Sequence, residues 1–600
     1  MNHHQYNWTL NKILKNQTLN ELHQDWLTEQ KQIIKLYSHF YKSKNHFIKW
    51  LKLNEQHIIT SNRLSNYIHN NLNEDLTNPH WIAWSQKLNS QGREFATKLA
   101  NYENIIIENW KTISIFLKDH NIQNYQRSFD LIFRHKEHRL SKDEEVLMSK
   151  ISNIHGGFET IFETLTDSDI KFSPAINSQG QVIPLTTIAD VTKNIKSKDR
   201  KLRETTWINF NKAFHAFEST LTQTLYYNYL MLNTNAKIYK FKDYVSAVAF
   251  EDEISANFIL NLYALISRFQ PLAHDYRIAS MNKLKKMLHL NVLKPWDKNV
   301  ELIKININFS IEQAKELVLV ALKPLGEEYL AKVQEAFDQQ WISWLAKPNK
   351  HTGAYSIGGT KGLEAYYISM NFDNSLNSVS TIIHELGHSM NSYYTNLHQK
   401  IYTTNSIFCA EIASIVNEQL LYYCLLDKYQ ADKKMKLYVL DKMLSNFFAT
   451  TTRQIIFSNF EFIMNEKINN NEPFTKETIL KTYQAMVQKY QGFINDEQKS
   501  FNKEPYVYGL STIFRISHFY VGNFYVYKYA VGQIVAIIVA DAIYHGDQTM
   551  LKKYFQFLSS GSSLSPLNTI KLLNIDLTSP KVFRDAKQIV CSWIKKFKQS

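Results

Sequence analysis

The sequence predicts a mainly α-helical protein with a small amount of strand. Glycine (16) and proline (11) are scarce among 600 residues, which leaves long unbroken runs rich in Leu, Lys, Ile and Glu. Apolar residues in these runs recur at helical spacing, whereas period-two alternation is confined to short stretches, chiefly residues 366–372. A chain of this length exceeds what one small core fills, so two or more packed sub-domains are expected.

From Leu10 to about Thr166 the pattern is one of long amphipathic helices, with Trp26, Trp50, Trp81, Trp84 and Trp110 as large core candidates. His135 and His138 lie three apart among Arg134, Lys136, Glu137 and Arg139, which reads as an exposed helix rather than a metal site. Between Ile170 and Leu185 the pattern changes. Phe172, Pro174, the run Asn177-Ser178-Gln179-Gly180, and Val182 with Ile183 mark a hairpin or irregular crossing. The domain boundary is placed just after it, giving an N-terminal helical domain at 1–190 and a second domain at 191–600. Helices resume near Ser197, with breaks around Pro295 and Pro348. The most apolar late segment, Val531 to Ile543, is shorter than the roughly 20 residues that span a bilayer and is closed by Asp541, so it reads as a buried helix.

The formal charge of +14 raises the question of an anionic partner. The lysines are dispersed, however, and the densest run, Lys193 to Arg203, reads as a solvated helix face carrying Lys196, Lys198, Arg200 and Lys201. No nucleic-acid motif or aromatic-basic platform accompanies the charge, so neither nucleic acid nor a membrane is expected as a partner. Cys409, Cys424 and Cys591 are too few and too scattered for a disulfide framework or a cysteine zinc site, which fits a reducing compartment. Met1 to Leu22 is polar and lacks the apolar core of a signal peptide, with His3 and His4 part of that polar start. A cytoplasmic monomer is the expectation.

Gly353, Gly358, Gly359 and Gly362 place four of the chain's 16 glycines in one loop, either mobile or closely approached by another element. It lacks the order of a phosphate loop. After it Tyr366, Ile368, Met370 and Phe372 alternate with Tyr367, Ser369 and Asn371, the signature of a short strand. As an edge strand it would hydrogen-bond an extended peptide by strand addition.

Next comes the most informative stretch, His384-Glu385-Leu386-Gly387-His388. Leu376, Val379, Ile383, Leu386 and Met390 give it a helical period, with Asn374, Ser375 or Ser378 as the cap. Histidines four apart share a helical face, where both imidazoles reach one zinc ion while the intervening glutamate addresses a water. Gly387 inside a helix costs about 1 kcal/mol relative to alanine, a penalty accepted where something must approach the backbone closely. Catalytic zinc needs a third protein ligand. Glu411 lies in the apolar run Phe408 to Glu418, where a carboxylate is costly without a cation, and it is the candidate. Glu418, seven residues on, can hydrogen-bond a ligand histidine, or it is an ordinary ion-paired glutamate. If residues 518–529 form one helix, His518, Gly522, Tyr525 and Tyr529 share a face and offer donors to an oxyanion; the alternative is tyrosines packing a helix interface.

Taken together, Gly353-Ala354-Tyr355-Ser356, His384 to Met390, Ala410-Glu411-Ile412-Ala413-Ser414, and His518-Phe519-Tyr520 followed by Phe524 to Ala530 resemble the thimet-oligopeptidase-like metallopeptidases, most closely the oligoendopeptidase F branch. The resemblance covers nearly the whole chain. It implies a zincin-like helical protein with two helical halves around a deep channel and a small β-sheet near the active site, with residues 191–600 as the catalytic domain. It implies one zinc ion per chain held by His384, His388 and Glu411, Glu385 as general base, and His518 with Tyr525 or Tyr529 stabilising the transition state, Tyr527 being a competing tyrosine. The implied activity is endopeptidase cleavage of short oligopeptides; a zinc exopeptidase or a catalytically inert basic helical binding protein are the alternatives. Ser517, where proline often stands, and Asn391, where the branch often has histidine, depart from the family pattern.

Overall fold

The computed structural model describes residues 6–152, 156–305, 307–494 and 503–600; His3 and His4 lie outside them. Helices hold 71% of the residues and the sheets are small, as the scarcity of breakers predicts. The chain forms two compact units, each assembled from separate stretches. The first comprises Met1–Arg139, Ile307–Leu425 and Val535–Asp576; the second comprises Leu140–Asn306, Leu426–Ile534 and Leu577–Ser600. The change in sequence character at residue 190 falls inside the second unit.

In the first unit, Leu19–Tyr37 starts at a capping box formed by Thr18 and Glu21, and it packs with the 31-residue helix Lys44–Glu74. Trp26 joins Leu22, Leu64 and Ile68 in one core cluster, while Trp50 stacks on Phe40 at 4.6 Å in another. Trp81, Trp84 and Trp110 are half-buried at the margins of these clusters. The helix Lys44–Glu74 also answers the glycine-loop question. Asn62 donates to the Lys361 carbonyl (3.1 Å) and Asn66 to the Gly358 and Gly359 carbonyls (3.1 and 3.2 Å), so the loop is closely approached.

A hairpin of β1 (Ala175–Ile176) and β2 (Val182–Ile183) stands in the second unit where the sequence change predicts it. The first unit holds the larger sheet, formed by β3 (Ile342–Leu345), β4 (Tyr355–Ser356) and β5 (Ile368–Phe372) in the order β3-β5-β4. The expected strand at 366–372 therefore exists as β5, but it is central rather than an edge. It runs parallel to β3 and antiparallel to β4, and side chains on both of its faces are buried. Its alternation came from two differently packed faces, not from one wet face. The edge strand that follows the glycine loop's start is β4. Lys350 binds the sheet from within: its buried ammonium donates to the carbonyls of Ser343 (3.2 Å), Leu345 (2.9 Å) and Met370 (2.7 Å). Burial pushes that lysine down to about 8.

In the second unit the basic run departs in one residue from a solvated face. Lys196, Lys198, Arg200 and Lys201 are exposed, but Arg203 is 1% exposed and donates to the fully buried Asp297 (2.7 Å), which Arg200 also contacts (2.8 Å). A buried carboxylate requires such partners. His135 and His138 lie half-buried on the 3₁₀ helix Arg134–His138. The apolar segment 531–543 belongs to the helix Tyr527–Tyr544, which is long and apolar enough to cross a membrane but is 72% buried within the fold.

Candidate active site

Ser375 begins the helix Leu376–His398 by accepting the Ser378 amide (3.1 Å), which selects it among the three cap candidates. His384, Glu385 and His388 lie on this helix, and Glu411 lies on the helix Ile407–Lys428. His384 Nε2 and His388 Nε2 are 3.2 Å apart, and Glu411 Oε2 stands 3.4 Å from the first and 3.5 Å from the second. Donors about 2.0–2.2 Å from one tetrahedral ion stand about 3.3–3.6 Å from each other. The three separations therefore fit a tetrahedral face. Among the described residues this is the one group of His, Cys, Asp or Glu side chains so arranged.

Gly387 permits that arrangement. A Cβ there would stand 2.5 Å from Ser414 Cα and 2.7 Å from the Ala413 carbonyl oxygen, so the helices that bear the histidines and Glu411 touch backbone to backbone. Gly387→Ala is expected to force them apart, lower stability by about 1–3 kcal/mol as overpacking does, and weaken divalent-metal binding. Thermal unfolding and metal titration check this; wild-type values in both would show that the close approach is dispensable.

The surrounding groups orient the cluster. Glu418 hydrogen-bonds His384 Nδ1, leaving Nε2 facing His388 and Glu411. Ser414 donates to Glu411 Oε2 (3.0 Å), and Asn417 donates to the Ile383 carbonyl (3.1 Å) while accepting from Tyr329 (3.1 Å). Sequence reasoning missed Ser414 and Asn417, although both sit between Glu411 and Glu418 in the same apolar run, where a buried polar residue needs a partner. Burial depresses the His384 imidazolium, but Glu411 and Glu418 outweigh it and push the group up to about 10. Burial raises the Glu411 carboxyl, but the two histidines outweigh it and hold that carboxyl well below its ordinary range. The cluster thus attracts positive charge. Glu385 is 8% exposed, and burial raises its carboxyl against the pull of His384 and His388. Next to it, edge strand β4 is tied to the helix by Ser356 and Ser389, whose hydroxyls are 2.9 Å apart.

In the second unit, residues 518–529 are not one helix. Ser517–Phe519 is a 3₁₀ turn, Gly522, Asn523 and Phe524 take positive φ (76°, 36° and 51°), and helix resumes only at Tyr527. The expected single face is therefore absent because three left-handed residues reverse the chain. The turn nevertheless folds Tyr525 back so that its hydroxyl meets His518 Nδ1 at 2.7 Å, with the Tyr529 ring 5.9 Å from that of Tyr525. Tyr527 is buried and bonded to Asp252, which leaves Tyr525 as the partner of His518. Burial, with a smaller contribution from Arg453, lowers the His518 imidazolium, and burial pushes the Tyr525 phenol up to about 12.

Comparison with known families decides what this architecture belongs to. Residues 194–589 match the model of peptidase family M3, and residues 109–172 match that of oligopeptidase F. The chain belongs to peptidase family M3. It is 37% identical to the oligoendopeptidase F homolog of Mycoplasma genitalium, covering 99% of this chain and 98% of the relative. Oligopeptidase PepF of Bacillus subtilis is 30% identical, over 93% and 82% of the two chains. The fold is shared with the crystal structure of a Chlamydophila abortus protein described as a peptidase (TM-score 0.86, 24% identity, 99% and 98% coverage) and with that of oligoendopeptidase-F from Enterococcus faecium (0.71, 23%, 97% and 98%). This family member is accordingly an enzyme that cleaves oligopeptides.

Proposed function

We propose that this M3 peptidase is a zinc-dependent endopeptidase of short oligopeptides, with one ion per chain held by His384, His388 and Glu411 and with the chemistry carried by residues 191–600. The observation that carries the reading is the 3.2, 3.4 and 3.5 Å spacing of the three donor atoms. Two imidazoles and one carboxylate are a donor set that zinc takes in peptidases while keeping a position open. When bound, the ion supplies Lewis-acid activation of a water and polarisation of the scissile carbonyl.

The chain's own residues do the rest. Glu418 at His384 Nδ1 would hold the ring, once neutral, in the tautomer that leaves Nε2 to the ion. Glu385 takes a proton from the attacking water and returns it to the nitrogen of the leaving amine as the C–N bond breaks. Edge strand β4, anchored beside Glu385, offers backbone groups for an extended peptide, the role first expected of 366–372. His518 and Tyr525 form a hydrogen-bonded donor pair, and we carry to them, with Tyr529 beside them, the transition-state role that the resemblance implies.

Digestion of a peptide mixture, read by mass spectrometry with and without a chelator, tests the reading. Internal cleavage that stops on chelation and returns with zinc is expected. Products shortened one residue at a time from either end would replace it with an exopeptidase, and cleavage indifferent to chelator would remove the metal.

A further inference from the structure

Glu461 lies on the helix Thr452–Asn469 in the second unit and is 0% exposed. Among the described residues no cation pairs with it. Its Oε1 accepts the Phe524 amide at 2.9 Å, and its Oε2 makes no hydrogen bond of good geometry, although the Tyr229 hydroxyl faces the carboxyl. A buried carboxyl without a cation is costly to keep, so its retention calls for a reason. Phe524 supplies one: it is the last of the three left-handed residues that turn the chain between His518 and Tyr525.

Other groups brace this turn, of which Asn228 is buried and Tyr244 and Asp252 are half-buried. Asn228 donates to the Phe519 carbonyl (3.0 Å) and to the Asn523 side chain (3.0 Å), and the Tyr244 hydroxyl donates to the Asn523 carbonyl (3.3 Å). Downstream, Asp252 takes Tyr527 and the Lys528 ammonium (2.6 Å). A left-handed run that includes Phe524 is strained and persists only where its surroundings over-determine it. Gly522 adds no side chain to the crowd; a Cβ there would stand 3.0 Å from the Tyr525 ring.

We propose that Glu461 is a positioning residue, whose bond to the Phe524 amide holds the 522–524 turn and thereby sets Tyr525 against His518. The inference rests on the proposed role of that pair, and its test separates the two. Burial pushes the Glu461 carboxyl up to about 8, against the opposing pull of the Phe524 amide bond and of the nearby Tyr229 hydroxyl. Tyr229, Tyr244, Tyr263 and Tyr525 lie within reach of its charge; Asp252 also acts on Tyr244, and Arg453 acts on His518. Burial thus favours the neutral acid, of which glutamine is the isostere.

Wild type, Glu461→Gln, Glu461→Met and Tyr525→Phe are compared by steady-state kinetics on a fluorogenic peptide, zinc content, and hydrogen exchange of a fragment spanning 519–526. Glu461→Met, which fills the space but accepts nothing, is expected to lower kcat about 10²-fold, the scale of a ~1 Å misplacement, with KM and zinc content unchanged. Its 519–526 fragment exchanges faster, whereas Glu461→Gln restores both kcat and protection. Adding Glu461→Met to Tyr525→Phe lowers kcat no further, because the loss runs through the tyrosine. Wild-type kcat in Glu461→Met beside a slow Tyr525→Phe overturns the positioning role. If Tyr525→Phe keeps wild-type kcat, the catalytic reading of the pair fails instead, and exchange decides: faster exchange in Glu461→Met sustains the positioning, unaltered exchange overturns it.

Should Glu461→Met fail to fold, wild type against Glu461→Gln completes the test. The folded-state value lies above the unfolded value of about 4.3, so between there and about 8 the native protein holds a proton that the unfolded chain releases. Stability from this group falls as pH rises through that window, and Glu461→Gln removes the slope. The Phe524 amide, read by residue-resolved exchange, is expected to be protected in both proteins, since each side chain offers it an acceptor oxygen; rapid exchange of that amide in the wild type overturns the assignment.

Discussion

A protein carrying Glu385→Gln is expected to bind zinc as the wild type does and to cleave peptides about 10²–10⁴-fold more slowly, the range assigned to a positioned acid–base group. Glutamine keeps the volume and one acceptor oxygen of a side chain that is 8% exposed, so the helix Leu376–His398 should not be disturbed. What it removes is the capacity to take the proton of the attacking water and deliver it to the leaving amine. The loss should therefore fall on kcat, with KM nearly unchanged, because the proton moves only in the transition state. Metal analysis of the purified variant beside its kinetics checks both halves. Undiminished turnover would assign the base elsewhere, and loss of zinc would make Glu385 a structural member of the cluster.

Glu411→Ala should abolish stoichiometric zinc binding and activity together. The carboxylate is the group that the second helix brings to the two Nε2 atoms, at 3.4 and 3.5 Å. Removing it leaves two ligands, short of the three protein ligands a catalytic zinc site uses. Glu418→Gln supplies the comparison, since it removes an orienting partner of His384 rather than a donor, and such outer partners are worth about 10–100-fold in metal affinity. Glu411→Ala should exceed that loss, read by zinc titration against a competing chelator. Equal effects of the two variants would mean that Glu411 orients rather than binds, and full zinc retention would remove it from the ligand set. Both helices pack through Gly387 independently of the carboxylate, so the variant should remain folded.

The cluster of His384, His388 and Glu411 was legible in the sequence because its parts are local. His384, Glu385 and His388 are linked by the period of one helix, and Glu411 and Glu418 by that of another, each period being a property of backbone hydrogen bonding alone. The close approach at Gly387 was legible for a related reason: a glycine inside a helix has a cost that only a neighbour explains. The position of β5 was not legible. Its alternation is the same whether the strand is an edge or is flanked on both sides, and the parallel partner β3 arrives from 26 residues upstream (Ile342 opposite Ile368). The helix expected at 518–529 failed on backbone dihedrals. Asn523 and Phe524 adopt left-handed angles because Asn228, Tyr244 and Glu461, distant in sequence, hold their polar groups there.

By itself, the sequence determined that the chain is helical, that two histidines share one helical face with a glutamate between them, and that a carboxylate further along needs a cation. These follow from short-range periodicity and from the cost of burying charge. The tertiary structure alone decided which strand has a free edge, that Tyr525 rather than Tyr527 meets His518, and that the basic run buries Arg203 against Asp297. Each of those depends on groups 7 to 275 residues apart, whose meeting is set by packing rather than by local backbone preference.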